Sequence, residues 1–367
     1  MEVSVIGGGP IGMITARALL DDGHQVRLFD PSINKPTMSL ALAESTLLLL
    51  ERTGVDLEAG EDLTEILVTE KRLPGSVLLQ AVECGYPRFG RVICSQALES
   101  AVARHVSDNV EPIAVETIHA RSARANPRIQ LATGEEVTPD LVILADGGRS
   151  YLTETLGFTA HYRPFGRSAI LGRIRVSAPK KGRAYERFVG TGPLALLPIE
   201  PDVYGFVWSL SPAHAEQFQQ SSAALIEALR DAMPDELGSI ELATDPLVIP
   251  LIERWIDQPY RPGIVLIGNG AQTIHPVAGQ GLNLALRGVM QITAELKQSD
   301  PDTAIRRAFA NWKPNRDKTR LASSSLEALF DRDLLPRKIL TSLGMVAADQ
   351  SPWLKTKIAE AGMGIVS

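Results

Sequence analysis

The chain opens on alternating apolar and polar positions. Val3 and Val5 flank Ser4 and lead into Ile6, the pattern of a short strand that stops at Gly7-Gly8-Gly9. Ile14, Ala18 and Leu19 then recur at helical spacing through residues 11–22, and Gly23 is placed to end that helix. Residues 26–30 return to strand character. Residues 39–54 set Leu40, Leu47 and Leu50 on one face and residues 96–105 show similar spacing, so both predict helices, while residues 78–91 between them are irregular. The run Leu141-Val142-Ile143-Leu144 is apolar throughout, as expected of a strand buried on both faces.

From about residue 170 to 252 the pattern changes to short alternating segments at 172–176, 194–199 and 203–210, which predicts a largely antiparallel region. Residues 264–268 resume the buried-strand pattern, and residues 282–298 predict a strong helix. The expected fold class is therefore α/β: a Rossmann-type, dinucleotide-binding domain, discontinuous over 1–72, 91–152 and 263–310. An antiparallel β substrate domain is inserted over 73–90 and 153–262, and a helical segment closes the chain over 311–367. Residues 334–367 alternate apolar and basic positions, a pattern open to membrane-surface contact, to docking on a partner and to ordinary packing against the body.

Length and composition support two packed domains. At 367 residues, roughly three quarters of the unfolded surface is buried on folding. With 22% charged residues and a net charge of −6, the chain lacks the basic excess that nucleic-acid binding needs. Cys84 and Cys94 have no metal-like spacing and form no disulfide framework, so reduced, cytoplasmic residence and no metal are expected. A first strand starting at residue 2 predicts no leader peptide, and no apolar run approaches the ~20 residues of a membrane span.

Three clusters carry chemistry. Gly7, Gly9 and Gly12 allow a tight turn, close approach of a pyrophosphate and close helix packing, while the helix start at Pro10-Ile11 offers free N–H groups. Asp30, 23 residues after Gly7, ends the second strand where a carboxylate accepts from ribose hydroxyls. Asp146-Gly147, with Ser150 and Gly157 behind it, follows the buried strand at 141–144, at the sheet edge where ligands bind. The third cluster, residues 268–283, runs from strand through a loop of small residues into a helix start. It suits an electron-rich ring with an oxygen able to carry negative charge, such as reduced flavin. His275, beside Pro276, is either a site-facing group or a structural histidine.

In order and spacing the three clusters resemble the single-component FAD-dependent aromatic hydroxylases related to p-hydroxybenzoate hydroxylase. The stretch from Asn269 to Asn283 resembles the ubiquinone-biosynthesis hydroxylases among them. Residues 192–198, 207–210, 312–319 and 326–330 resemble the same subfamily, so the likeness covers nearly the whole chain. It implies that Gly7, Gly9, Pro10, Ile11, Gly12 and Asp30 hold the AMP half of FAD, with Lys35, Ser39 and Gln96 also at the cofactor. It implies that Asp146 and Gly147 serve the pyrophosphate and the use of NAD(P)H, that Asn269 contacts the ribityl region, and that Pro276, Gly279, Gly281, Leu282 and Asn283 line the isoalloxazine. His275 and Pro276 are the candidates for catalysis, and no general base is assigned.

The implied reaction spends NAD(P)H and O₂ to hydroxylate a phenolic, prenylated ubiquinone precursor through a flavin C4a-hydroperoxide. The alternatives are a secondary-metabolite monooxygenase of the same fold and a flavin reductase or FAD-binding subunit without efficient oxygenation. Two departures motivate the last: Met38 and Thr153 stand where relatives usually carry arginines, with Lys35 and Arg149 nearby as candidate replacements. The Trp-x-Trp-x-Ile-Pro signature of flavin halogenases is missing.

Overall fold

The alternating residues at the start of the chain form the strand Glu2–Ile6, which pairs in parallel with Gln25–Phe29 on one side and Leu141–Leu144 on the other. The computed structural model describes residues 1–31, 37–71, 75–122, 125–148, 150–274, 280–330, 349 and 351–363, excepting the side chains of 322–330, 352, 354 and 361–363. The first sheet runs in the order Tyr260–Arg261, Ile264–Leu266, Leu141–Leu144, Glu2–Ile6, Gln25–Phe29, Val110–Glu111, and only the edge strand Tyr260–Arg261 is antiparallel.

Period-two alternation divides the two faces of this sheet. Val3, Val5, Leu141 and Ile143 meet the helices Pro10–Asp21, Ser95–Ala103 and Gln280–Leu296 through Ile14, Leu19, Leu98, Leu286 and Val289. Ile6, Val142 and Leu144 face a small antiparallel sheet, Val115–His119, Arg128–Leu131 and Glu136–Val137, through Ile118, Ile129 and Leu131. Residues 264–310 return to complete the first sheet and its helical layer, so the insertion leaves the parallel unit intact.

The inserted sheet has the order Gln272–Thr273, Leu247–Ile256, Ala160–Val176, Val203–Leu210, Gly192–Glu200, Arg183–Val189, Glu65–Glu70, Ser76–Gln80, with Ile240–Leu242 beside the long strand. One face packs Ile170, Tyr185, Leu196, Phe206 and Trp208 against Leu225 and Leu229 of the helix Ser222–Ala232. That helix and its neighbour Pro212–Gln220 are each capped by a serine, Ser221 and Ser211, whose side chain accepts a backbone N–H. The opposite face turns toward a fourth sheet, Ser39–Ala43, Gly90–Cys94 and Glu61–Leu63. Gly205 makes this approach possible, since a Cβ there would overlap Ser39 Oγ, and Arg173 donates to Cys94 Sγ at 3.1 Å.

Several expectations are corrected. Residues 39–43 form a strand rather than the first turns of a helix, because Gly90–Cys94 supplies a complete antiparallel partner; the helix is confined to Glu44–Arg52. Residues 78–91 are not uniformly irregular, since the strand Ser76–Gln80 and the start of Gly90–Cys94 lie there. The boundary at residue 72 splits a hairpin: Glu65–Glu70 pairs with Ser76–Gln80 and, in parallel, with Arg183–Val189, so it belongs to the inserted sheet. The boundary at 310 falls inside the single helix Pro301–Phe330.

The tail helix Pro352–Met363 packs on the body, with Ala359 3% exposed in a small core shared with Leu79, Ala81 and Cys84. Lys355 pairs with Asp349 at 2.9 Å, and Asp349 accepts from Leu78 N at 3.2 Å. Among the described residues no helix is long and apolar enough to cross a membrane.

Candidate flavin site

The three sequence clusters meet at the carboxyl edge of the parallel sheet. Gly7, with φ +109°, lies where a Cβ would press on Ala145 O at 2.6 Å, and a Cβ on Gly12 would overlap Gly7 O. These two glycines let the helix Pro10–Asp21 close on the strand ends. Gly9 differs, because a Cβ there meets nothing within 4 Å. Its open side adjoins a helix start with Gly9 at the N-cap, no side-chain cap and Pro10 in the first turn. The first turn of the helix thus leaves the backbone N–H groups of Ile11 and Gly12 without intrahelical acceptors, beside the open side of Gly9.

Asp30 follows the second strand, its backbone N–H bound to Glu111 O at 3.0 Å and its carboxylate lying over Gly8. Asp146 orders the second loop: it accepts from Gly148 N at 2.9 Å, from Ser150 N at 3.2 Å and from the Ser150 hydroxyl. Gly147 and Gly148 both hold positive φ, +74° and +70°, which bends the chain around that carboxylate. The Asp146 side chain thereby shapes the loop.

In the third cluster Gly268–Gly270 forms a tight turn. A Cβ on Gly268 would sit 3.5 Å from the Ile11 side chain, and one on Gly270 would sit 3.4 Å from Asp146 Oδ1, so this turn touches both other clusters. Asn269 projects outward and is exposed. Asn283 is 3% exposed, and its amide works inside the protein: Oδ1 accepts from Ala43 N at 2.9 Å and Thr46 Oγ1 at 2.8 Å, and Nδ2 donates to Ala41 O at 3.0 Å. It fastens the start of the helix Gln280–Leu296 to the strand Ser39–Ala43, beside half-buried Gly281 and Leu282.

Ser39 is half-buried against Gly205, and Gln96 is exposed in the first turn of its helix. Met38 is 37% exposed, with its N–H donating to Ser95 Oγ at 3.0 Å. Thr153 is 3% exposed in the short helix Leu152–Thr155. Lys35, Arg149, His275, Pro276 and Gly279 lie outside the described residues. Among the described residues no group of three or more His, Cys, Asp or Glu is arranged to hold a metal.

Arg254 is a central residue that the sequence reading passed over. It comes from the inserted-sheet strand Leu247–Ile256, is 9% exposed, and donates to Asn269 O at 3.1 Å, to Gly270 O, and to the Tyr162 hydroxyl at 3.4 Å. A Cβ on Gly148 would lie 3.1 Å from its guanidinium, so this one cation spans the second and third clusters. Its neighbour Glu253, 2% exposed, is bound by Arg163 at 2.6 Å and by Arg320 of the long helix at 2.8 Å. An Arg-Glu pair in an otherwise apolar strand was the only available signal.

This arrangement fits FAD. The open space beside Gly9 and the bare helix start accommodate a pyrophosphate, Asp30 stands where ribose hydroxyls would donate, and the start of Gln280–Leu296 faces the third loop.

Comparison with known proteins agrees. The FAD binding domain family matches residues 1–317. The 3-demethoxyubiquinol 3-hydroxylase of Escherichia coli is 24% identical, with 99% of this chain and 98% of that protein aligned. Ubiquinone hydroxylase UbiL of Rhodospirillum rubrum is 25% identical over 99% of this chain and 89% of its own length. The structure of Klebsiella pneumoniae HpxO with FAD and uric acid superposes with a TM-score of 0.82 at 16% identity, covering 99% of this chain and 97% of that one, which establishes a shared fold. From the match over residues 1–317 and the converging glycine loops, the chain belongs to the FAD binding domain family.

Proposed function

We propose that this chain is an FAD-dependent monooxygenase that uses NAD(P)H and O₂ to hydroxylate a phenolic ring, with a prenylated ubiquinone precursor as its substrate. The observation that carries the reading is the convergence of the three loops on open space beside Gly9, next to an apolar sheet face that is turned inward yet half-buried at Ala195, Val207 and Leu171. The full-length likeness to two ubiquinone hydroxylases supports the substrate class.

Bound FAD supplies the redox chemistry, accepting a hydride equivalent and activating O₂. The protein's own groups position and shield. N–H groups at the first helix start would hold the phosphates, with the Asp146-ordered loop at Gly147 beside them, Asp30 would orient the ribose, and the dipole of Gln280–Leu296 would favour negative charge at the flavin ring. Arg254 keeps the second and third loops in register and places a guanidinium beside both, at a site where Met38 and Thr153 contribute no charge. The inserted sheet roofs the site with apolar side chains that exclude water from the reacting ring.

The test is purification with identification of the bound cofactor, followed by NADPH oxidation and product analysis with a panel of 2-prenylphenols. Substrate-stimulated oxidation coupled to a hydroxylated ring is expected. Flavin reduction that releases all its electrons as peroxide with every phenol would reduce the chain to a reductase. Flotation with anionic liposomes tests a peripheral membrane contact, for which Trp353, 69% exposed on the tail helix, is the candidate group.

A further inference from the structure

Glu186 sits in the middle of the strand Arg183–Val189, on the face of the inserted sheet turned toward the flavin-binding domain. Register fixes its neighbours: Val68 on one side and Ala195 on the other, with Val207 and Leu171 continuing the row. All five residues are half-buried although the row faces inward, so open space borders it. The same face, one residue pair along, carries Leu197, Gly205 and Arg173, and Gly205 touches Ser39 of the flavin-binding domain. Glu186 therefore lies two strands, roughly 10 Å, across from that contact and about 7 Å along the strands.

A carboxylate in this row has no structural use. Among the described residues no hydrogen bond or ion pair reaches it, whereas two other acidic residues of the sheet that are withdrawn from solvent are held: Glu65 by Arg183 and Gln80, Glu253 by Arg163 and Arg320. Burial alone pushes its pKa up to about 7. The titratable or charged groups on its face or about the core beneath include Glu70, Arg173, Cys94, Cys84 and Tyr86, with Glu83, Lys355 and Glu360 around Cys84, and none of them contributes to that shift. An unpaired carboxyl among apolar side chains is costly, and an apolar residue would serve packing better.

We propose that Glu186 receives the hydroxyl group of the substrate, accepting its O–H hydrogen bond while the ring lies on Ala195, Val207 and Leu171, and that it thereby selects uncharged phenols over aromatic acids. This rests on the phenol-hydroxylase reading above. A phenol holds its proton up to about pH 10, so the proton stays on the substrate oxygen and the charge-assisted bond raises electron density on the ring. A ring bearing its own carboxylate would meet Glu186 as a like charge, which disfavours it.

The test uses FAD-loaded protein, with binding read from the perturbation of the flavin absorbance by 2-geranylphenol or 4-hydroxybenzoate between about pH 6 and pH 8. In the unaltered protein, affinity for 2-geranylphenol should rise through neutrality, and 4-hydroxybenzoate should bind weakly at the upper end. Glu186→Gln should weaken 2-geranylphenol about tenfold at the upper end, abolish the pH dependence and improve 4-hydroxybenzoate, with the flavin spectrum unchanged. Glu186→Leu should weaken it at least as much. In the ligand-free protein, the infrared band of a protonated carboxyl should disappear as pH rises through neutrality and be missing from Glu186→Gln.

If the unaltered protein binds 2-geranylphenol but the variants keep its affinity and pH profile, the role of Glu186 is wrong and the hydroxylase reading stands. If the unaltered protein binds neither phenol, the hydroxylase reading falls and this role with it.

Discussion

Gly9 and Gly12 belong to one short motif, yet a methyl group added at each meets opposite surroundings. At Gly12 it overlaps Gly7 O, so Gly12→Ala must push the helix Pro10–Asp21 off the sheet; loss of apo-protein stability and loss of FAD together are expected. At Gly9 the backbone is extended, φ −74° and ψ 175°, and the space is open. Gly9→Ala should therefore leave the apo melting temperature close to that of the unaltered protein while weakening FAD at least tenfold, measured by flavin fluorescence titration. Equal effects of the two variants on apo stability would contradict the assignment of the open space to the cofactor. Glycines of this kind were legible in the sequence because each answers a local steric demand within a strand–turn–helix unit. Arg254 was not, because its partners Asn269, Gly270 and Tyr162 are brought to it only by the tertiary fold.

At the scale of elements, the site depends on two fastenings between segments distant in sequence. Asn283 ties the helix Gln280–Leu296 to the strand Ser39–Ala43 by two hydrogen bonds and to Thr46 of the helix Glu44–Arg52 by a third, so Asn283→Ala should destabilise the protein by roughly 3 kcal/mol, read from urea unfolding, because Ala43 N, Thr46 Oγ1 and Ala41 O lose their partner. Arg254→Met keeps the apolar stem beside Tyr162 but withdraws the donors from Asn269 O and Gly270 O. Faster FAD release, by about tenfold in stopped-flow dilution, is the expected result, with unchanged release excluding the bridging role. The same scale explains why the segment 39–43 was misread. Leu40, Ala43, Leu47 and Leu50 recur at helical spacing across the polar Glu44-Ser45-Thr46, while Leu40 to Ala43 alone suit a strand equally well; pairing with Gly90–Cys94 decides between them, and that partner lies about fifty residues away.

Across the whole molecule, the doubly covered parallel sheet was readable from its apolar runs, whereas the identity of the inward face of the inserted sheet was not. In the sequence Arg183-Ala184-Tyr185-Glu186-Arg187 both period-two faces mix polar and apolar residues, so the strand does not say which side is buried; only the register across five strands turns Glu186 inward. The placement has a stability consequence separate from any ligand. The folded protein holds the Glu186 carboxyl near 7, against an ordinary value of 4.5, so the folded state binds the proton more tightly than the unfolded chain. Stability must then fall as pH rises from about 4.5 to 7 and stay lower above that, by at most about 3 kcal/mol from this group. Glu186→Gln removes the ionisation, so the apo variant should melt a few degrees above the unaltered protein at about pH 8 and match it near pH 4. A residue that lowers stability where the protein works, and whose isosteric replacement raises stability while weakening 2-geranylphenol, has the signature of a binding group rather than a packing group. If Glu186→Gln melts at or below the unaltered protein at about pH 8, the carboxyl has a partner and its placement as a free acceptor facing the ring is wrong.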